Sequence, residues 1–236
     1  MSQSHSVPTS TSERIARLMK RQDALIERIE SLHGQIDAFR PKSQRVFETQ
    51  DLHSGEKLVG NQKRLHNELI SKGITRFRFV RAPPEYYDED LEFRRKTLNA
   101  PTVEHLCKSI VMENTKIDGS NPEHTKYWLV IVQYSARLNN EKLRNFIISY
   151  HDGKLPRSKV NMRLVAEEKS VELSGYVKNS VTPIGMQTQL PIVVSKAITE
   201  LVPDEFWIGA GEVDLKVGMP VSDFLKAYPD MHMVEI

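Results

Sequence analysis

The sequence predicts an α+β fold: a curved, barrel-like mixed β-sheet flanked by helices, with a coiled-coil-type helix at the N-terminus. Three observations carry this. From residue 61 onward, strand-like and helix-like segments interleave without the regular strand–helix–strand rhythm of a parallel sheet. The segment "KYWLVIVQY" (126–134) is apolar on both of its faces, as a central strand is. Near the start, Ile15, Leu18, Gln22, Leu25, Ile29, Leu32, Ile36 and Phe39 recur in steps of three and four, a heptad seam with one polar interruption.

In chain order, residues 1–10 read as a disordered tail. Ser10 and Glu13 have capping-box spacing, and Pro41 closes the seam, so residues 11–40 are expected as one helix. Its g-type positions are Arg21, Arg28 and Gln35 and its e-type positions are Met19, Ile26 and His33. These cannot supply the opposite charges of a parallel homodimer. The helix therefore suits a larger bundle or an acidic partner, or else folds back on its own domain. Residues 41–60 lack periodicity and read as a linker, leaving 61–236 as the main domain.

Within that domain, "NQKRLHNELISKG" predicts a helix stopped by Gly73. "ITRFRFVRAPP" alternates Arg76, Arg78 and Val80 against Phe77 and Phe79, a strand ended by two prolines. "YYDEDLEFRRKTLN" is helical and charged, and "EHLCKSIVM" is a strand. "NNEKLRNFI" is helical, "KVNMRLVAEEKSVELSG" is helical or mixed, and Gly175 stands where a C-cap belongs. "QLPIVVS", "EFWIGAG" and "VDLKVG" are strands, and "VSDFLKAY" is a closing helix.

Composition bounds the function. A chain of 236 residues can hold one sizeable core plus an appendage, and 39% hydrophobic with 27% charged is ordinary for a globular protein. A net charge of +2 neither announces nor excludes nucleic-acid binding. No apolar run approaches the roughly 20 residues of a membrane helix. The polar start "MSQSHSVPTS" lacks the layout of a secretory signal, and Cys107 is the single cysteine. The expectation is a cytoplasmic protein with neither membrane nor DNA as partner.

The familiar catalytic templates are absent. There is no Walker loop, dinucleotide glycine fingerprint, Cys-x-x-Cys or Gly-x-Ser-x-Gly, and the eight histidines do not group at zinc-ligand spacing. No cofactor or metal is expected. Cys107 is either a nucleophile or, as is usual for a lone cysteine in an apolar strand, a small buried hydrophobe. Strand alternation puts Lys108 on one face with Leu106, Ile110 and Met112. A lysine there either snorkels to solvent or awaits an anion. In "GYVKNSVTPIGMQTQLP" (175–191), Asn179 tolerates left-handed backbone, Thr182 is held extended by Pro183, and Gly185 permits a sharp exit. Such a loop is either a well-made turn or a cradle that converges N–H groups on an anion or oxyanion.

Lys108, "YSARLNNEKL", "GYVKNSVTPIG" and "FWIGAGEVDLKV" follow in this order, and as a set they resemble the YbaK-like family, the prolyl-tRNA-synthetase-associated editing domains. The resemblance extends over about residues 62–228 and leaves out the heptad helix. It implies hydrolysis of the ester between a wrong amino acid and the terminal ribose of tRNA, without a protein nucleophile. It places the family's strand lysine on Lys108. The Gly-x-x-x-Pro loop falls on residues 179–183, with Asn179 in the glycine position and Ser180 next. The late glycine-rich turn falls on Gly209 and Gly211.

The function expected from this is a trans-acting aminoacyl-tRNA deacylase. Lys108, Asn179, Ser180, Thr182, Pro183 and Gly185 form the catalytic set. Gly209 and Gly211 contact substrate, and Arg76, Arg78 and Arg81 either meet the acceptor stem or form a solvated strand edge. Residues 11–40 would dock the protein to an aminoacyl-tRNA synthetase or a larger assembly. The rival expectation is a catalytically weak adaptor that binds tRNA or a synthetase.

Overall fold

A computed structural model of the chain describes residues 19–22, 24–25, 28 and 60–236. The chain divides into two compact units, Met1–Arg45 and Val46–Ile236. In the first unit the described residues are helical, with Met19 and Leu25 each 61% exposed. The rest of the heptad seam, the tail at 1–10 and the linker up to residue 59 lie outside the described residues.

The second unit begins with α1 (Gly60–Ser71), β1 (Arg78–Arg81), a 3₁₀ turn at Pro84–Tyr87 and α2 (Leu91–Leu98). A 3₁₀ turn at Val103–His105 leads into β2 (Cys107–Asn114), β3 (Tyr127–Gln133) and α3 (Asn140–Tyr150). Then come β4 (Met162–Leu164), α4 (Glu167–Ser174), β5 (Ile192–Ser195) and α5 (Lys196–Thr199). β6 (Phe206–Gly209), β7 (Leu215–Met219), α6 (Val221–Ala227) and β8 (His232–Val234) close the chain. Local chemistry accounts for the helix ends. The Asp90 carboxylate accepts from the Phe93 N–H at 2.7 Å to start α2, and Asn139 accepts from the N–H groups of Glu141 and Lys142 to start α3. Gly175, with φ 77°, is the left-handed C-cap of α4.

The fold is α+β, but its strands form two sheets where one barrel-like sheet was expected. Among the described residues no sheet closes on itself. The smaller sheet has the order β1-β7-β6, all antiparallel. The larger has the order β4-β2-β3-β5-β8, antiparallel from β4 to β3 and parallel from β3 to β8. They touch through one isolated parallel bridge, Leu106↔Trp207. The alternation in residues 74–84 predicts a strand but not its partner. β1 pairs in register Arg78↔Gly218 with a strand from the far end of the chain, which draws β6 and β7 into a sheet of their own.

β3 is the central strand that its sequence predicts. Trp128, Val130 and Val132 pack on one side beneath Leu143 and Ile147 of α3. On the other side Ile131 joins Leu65 and Leu69 of α1, Val217 of β7 and Phe224 of α6 in the largest core cluster. Each such side chain, fully buried, stabilises the fold by about 1.5–3 kcal/mol.

This frame opens a crevice. β2 and β6 run side by side at Leu106 and Trp207 and then diverge, while β4 joins β2 only from Met112 onward. The Val111 carbonyl accepts from the Val165 N–H at 3.1 Å on the β4 side. By strand alternation Ser109 turns its own N–H and C=O to the same edge, where no strand among the described residues takes them up.

Glu205, at the start of β6, is 1% exposed. Burial pushes its carboxyl up to about 7, against the opposing pull of the Trp207 indole and the Arg78 charge. A folded-state value above the unfolded one means that the stability it carries is full below the ordinary carboxylate value and is lost as pH rises through about 7. Glu205→Gln is therefore expected to be more stable than the parent at pH 8, by up to about 3 kcal/mol. The gap should close towards pH 4.5, where the parent carboxyl is protonated in both states. Thermal unfolding of both proteins across that range checks it.

Candidate functional site

A cleft of about 300 Å³ occupies the crevice. One wall is residues 108–111 of β2 with Tyr134, another is Leu164, Val165, Glu167 and Ser170, and the third is Lys178, Asn179 and Val181 with Gly209. The setting is apolar apart from a few charged and hydroxyl groups, the usual make-up of a small-ligand site. Two cations, Lys108 and Lys178, and one carboxylate, Glu167, face it.

The third wall is the loop after α4. Asn179 has φ 68°, a left-handed position held by one of the few residues other than glycine that tolerate it. The loop is fixed from beneath. The Ser180 hydroxyl donates to the Val177 carbonyl at 2.7 Å, and the Ser180 carbonyl accepts from the Gly211 N–H at 3.0 Å. Thr182, Pro183 and Ile184 are buried. A Cβ at Gly209 would stand 2.9 Å from the Val181 carbonyl oxygen, so only glycine lets the loop lie this close to β6. Gly211, with φ 83°, turns the chain so that its N–H reaches Ser180. Among the described residues, the N–H groups of Asn179 and Val181 have no protein acceptor.

A cluster of tyrosines and cations holds the loop's front. The Tyr87 hydroxyl donates to the Asn179 carbonyl at 2.7 Å. The Arg94 guanidinium donates to the carbonyls of Tyr86 and Tyr87 at 2.9 Å each and lies over the rings of Tyr86, Tyr87 and Tyr134. Lys216, 4% exposed, donates to the Val213 carbonyl at 2.5 Å and sits over Tyr86 and Tyr87. Burial lowers its ammonium to about 8. Lys108 stands 5.5 Å from the centre of the Tyr134 ring, a cation–π contact that keeps its charge at the cleft wall.

The expected site residues thus separate. Lys108, Asn179 and Gly209 line the cleft together. Ser180, Thr182 and Pro183 lie under the loop surface, where they set its backbone. Gly185 is at the far side, its carbonyl taken by Arg64 and Tyr176. Gly211 acts through the loop rather than at the cleft. None of the three arginines lines it. Arg76 makes a two-bond ion pair with Asp223, Arg81 bridges Glu212 and Asp214, and Arg78 donates to the Leu98 carbonyl while lying over Trp207. Cys107 is buried, with its thiol pushed up by burial, and so is the small hydrophobe of the two alternatives. Sequence reasoning missed Tyr87, Tyr134, Lys178, Glu167 and Ser170. Only Tyr134 had a local signal, as the polar-tipped aromatic that ends the central strand.

Residues 96–227 match the family described as the aminoacyl-tRNA editing domain. Among solved structures, a protein assigned provisionally as a trans-editing enzyme for prolyl-tRNA synthetase is similar, with TM-score 0.58 and 18% identity over 76% of this chain and 99% of that one. A scaffold protein used for computational grafting of linear epitopes gives 0.57 and 16% over 76% and 99%. A hypothetical protein gives 0.55 and 14% over 72% and 98%. At these identities the likeness is one of fold. No curated protein matches this chain.

Because Asn179 is left-handed, Asn179→Gly should leave thermal stability nearly unchanged, while Asn179→Val should cost about 1–2 kcal/mol. Equal unfolding temperatures for the two variants would contradict the account of the loop.

Proposed function

The chain belongs to the aminoacyl-tRNA editing domain family, and we propose that it is a trans-acting deacylase hydrolysing the ester of mischarged tRNA. The observation that carries this reading is the juxtaposition of Lys108 with the Asn179–Gly209 wall across one cleft. A strand cation faces backbone donors there, and among the described residues neither cysteine nor histidine lines the cleft.

The chemistry suits that composition. An aminoacyl ester is already activated, so positioning and oxyanion stabilisation supply much of the needed acceleration. Water adds to the ester carbonyl carbon, and the negative charge that develops on oxygen is met by the free N–H groups of Asn179 and Val181. The bond from carbon to the ribose oxygen then breaks, and that oxygen takes up a proton. Free amino acid and uncharged tRNA leave. A neighbouring ribose hydroxyl can deliver the water. Lys108 supplies positive charge to the reacting group or to the acceptor-end phosphate, and Lys178 extends that potential along the loop wall. Arg76, Arg78 and Arg81 are candidate acceptor-stem contacts in the segment 76–81. Their carboxylate and carbonyl partners make Lys108 and Lys178 the stronger cations for that task.

The test is release of amino acid from a panel of mischarged tRNAs. At least one should be deacylated by the full-length protein, and a panel left wholly intact would overturn the reading. In the same assay Lys108→Ala should remain folded and lose roughly two orders of magnitude in rate, as expected for one preorganised electrostatic contact.

Docking to a synthetase or larger assembly through residues 11–40 is the second part of the proposal. It rests on the heptad seam, because an isolated helix of that length is marginal in water and needs a partner. Deleting residues 1–40 should abolish co-purification with such an assembly and leave deacylation of free tRNA largely unchanged.

A further inference from the structure

The cleft holds one charged group that ester hydrolysis as described does not use. Glu167 is the first residue of α4, and it faces the cleft together with Ser170, three positions on and therefore on the same side of the helix. Its neighbour Glu168 is exposed and does not line the cleft, and two further acids are paired. Glu172, on the same helix, pairs with Lys169 at 2.7 Å, and Glu212 pairs with Arg81 at 2.9 Å. Among the described residues the Glu167 carboxylate has neither an ion pair nor a hydrogen-bond donor. The surrounding wall of Ile110, Val111, Val165 and Val181 is apolar. Glu167 is itself exposed, so its charge is screened by solvent until a ligand covers it.

An aminoacyl ester carries a complementary set of groups. Its phosphates and developing oxyanion call for cations and N–H donors, which Lys108, Lys178 and the loop provide. Its α-ammonium calls for an anion, and Glu167 is the carboxylate in the cleft. We propose that Glu167 is a specificity-determining residue that reads the free α-ammonium of the esterified amino acid, an inference that rests on the deacylase reading above. The cleft then accepts tRNA carrying a single unblocked amino acid and discriminates against tRNA whose amino acid is acylated on nitrogen. Such blocked chains present a neutral amide where the carboxylate expects a cation. The carboxylate would be desolvated without gaining a charged partner.

The experiment compares full-length parent and Glu167→Gln on one mischarged tRNA and its N-acetylated form. Binding is measured in parallel with 3′-aminoacylamino adenosine, whose amide resists hydrolysis, in free-amine and N-acetyl versions. The parent should prefer the free amine by about tenfold or more in kcat/KM and in binding. In Glu167→Gln the preference should collapse, mainly through a raised KM for the free-amine substrate. A parent that treats the two substrates alike, or a variant that keeps the preference, overturns the assignment. If no tRNA is deacylated at all, the hydrolytic reading fails. The binding comparison still decides the role of Glu167, since a free-amine preference that Glu167→Gln abolishes supports it and equal binding rejects it.

Discussion

The cleft depends on how closely the loop at 178–182 lies on the end of β6. That contact is backbone on backbone, and it exists because residue 209 has no side chain. A Cβ there would press to 2.9 Å from the Val181 carbonyl oxygen and 3.2 Å from the Ser180 carbonyl carbon. With the loop seated, the Ser180 carbonyl reaches the Gly211 N–H, Tyr87 reaches the Asn179 carbonyl, and the chain at Asn179 is turned into a left-handed conformation. Each bond is worth about 1 kcal/mol net, so their combined effect is to fix the loop's direction. The carbonyls of Asn179 and Ser180 hold the loop, and the N–H groups of Asn179 and Val181 are left for a ligand.

The distribution of charge makes the same division. Arg76, Arg81 and Arg94 spend their donors on carboxylates or carbonyls of the fold, and Lys216 is buried among tyrosine rings and carbonyls. What remains at the cleft is a small set of uncommitted groups, Lys108, Lys178 and Glu167, in a largely apolar wall. A net charge of +2 gives little long-range attraction for RNA, so under the proposed function recognition falls to these local charges. The proposed mechanism asks little more of them than placement.

Much of this was legible in the sequence wherever the information is local. The stop at Gly175, the unusual backbone at Asn179 and the central position of β3 each follow from a few adjacent residues. Lys108 stood out because a cation interrupts an apolar strand face. What escaped was set by contacts between distant segments. Arg78 and Gly218 are paired strand neighbours, and that pairing splits the strands into two sheets. Tyr87 and Asn179 meet across 92 residues of chain, so nothing near either predicts the other. The three arginines of the 76–81 strand read as a basic edge because the acids that neutralise two of them, Asp223, Glu212 and Asp214, lie more than 130 residues away. Ser180, Thr182 and Pro183 belong to the loop but are buried on its inner side. Motif spacing does not reveal which side of a loop faces solvent.

The central claim is that the cleft between β2 and the loop binds the aminoacyl end of tRNA. Amide chemical shifts of the full-length protein, followed while 3′-aminoacylamino adenosine is added, test it most directly. The account predicts saturable shifts at Ser109, Asn179, Val181 and Gly209, with the amides of α3, none of whose residues lines the cleft, unmoved. Shifts confined to other surfaces, with those four amides silent at saturating ligand, would contradict it.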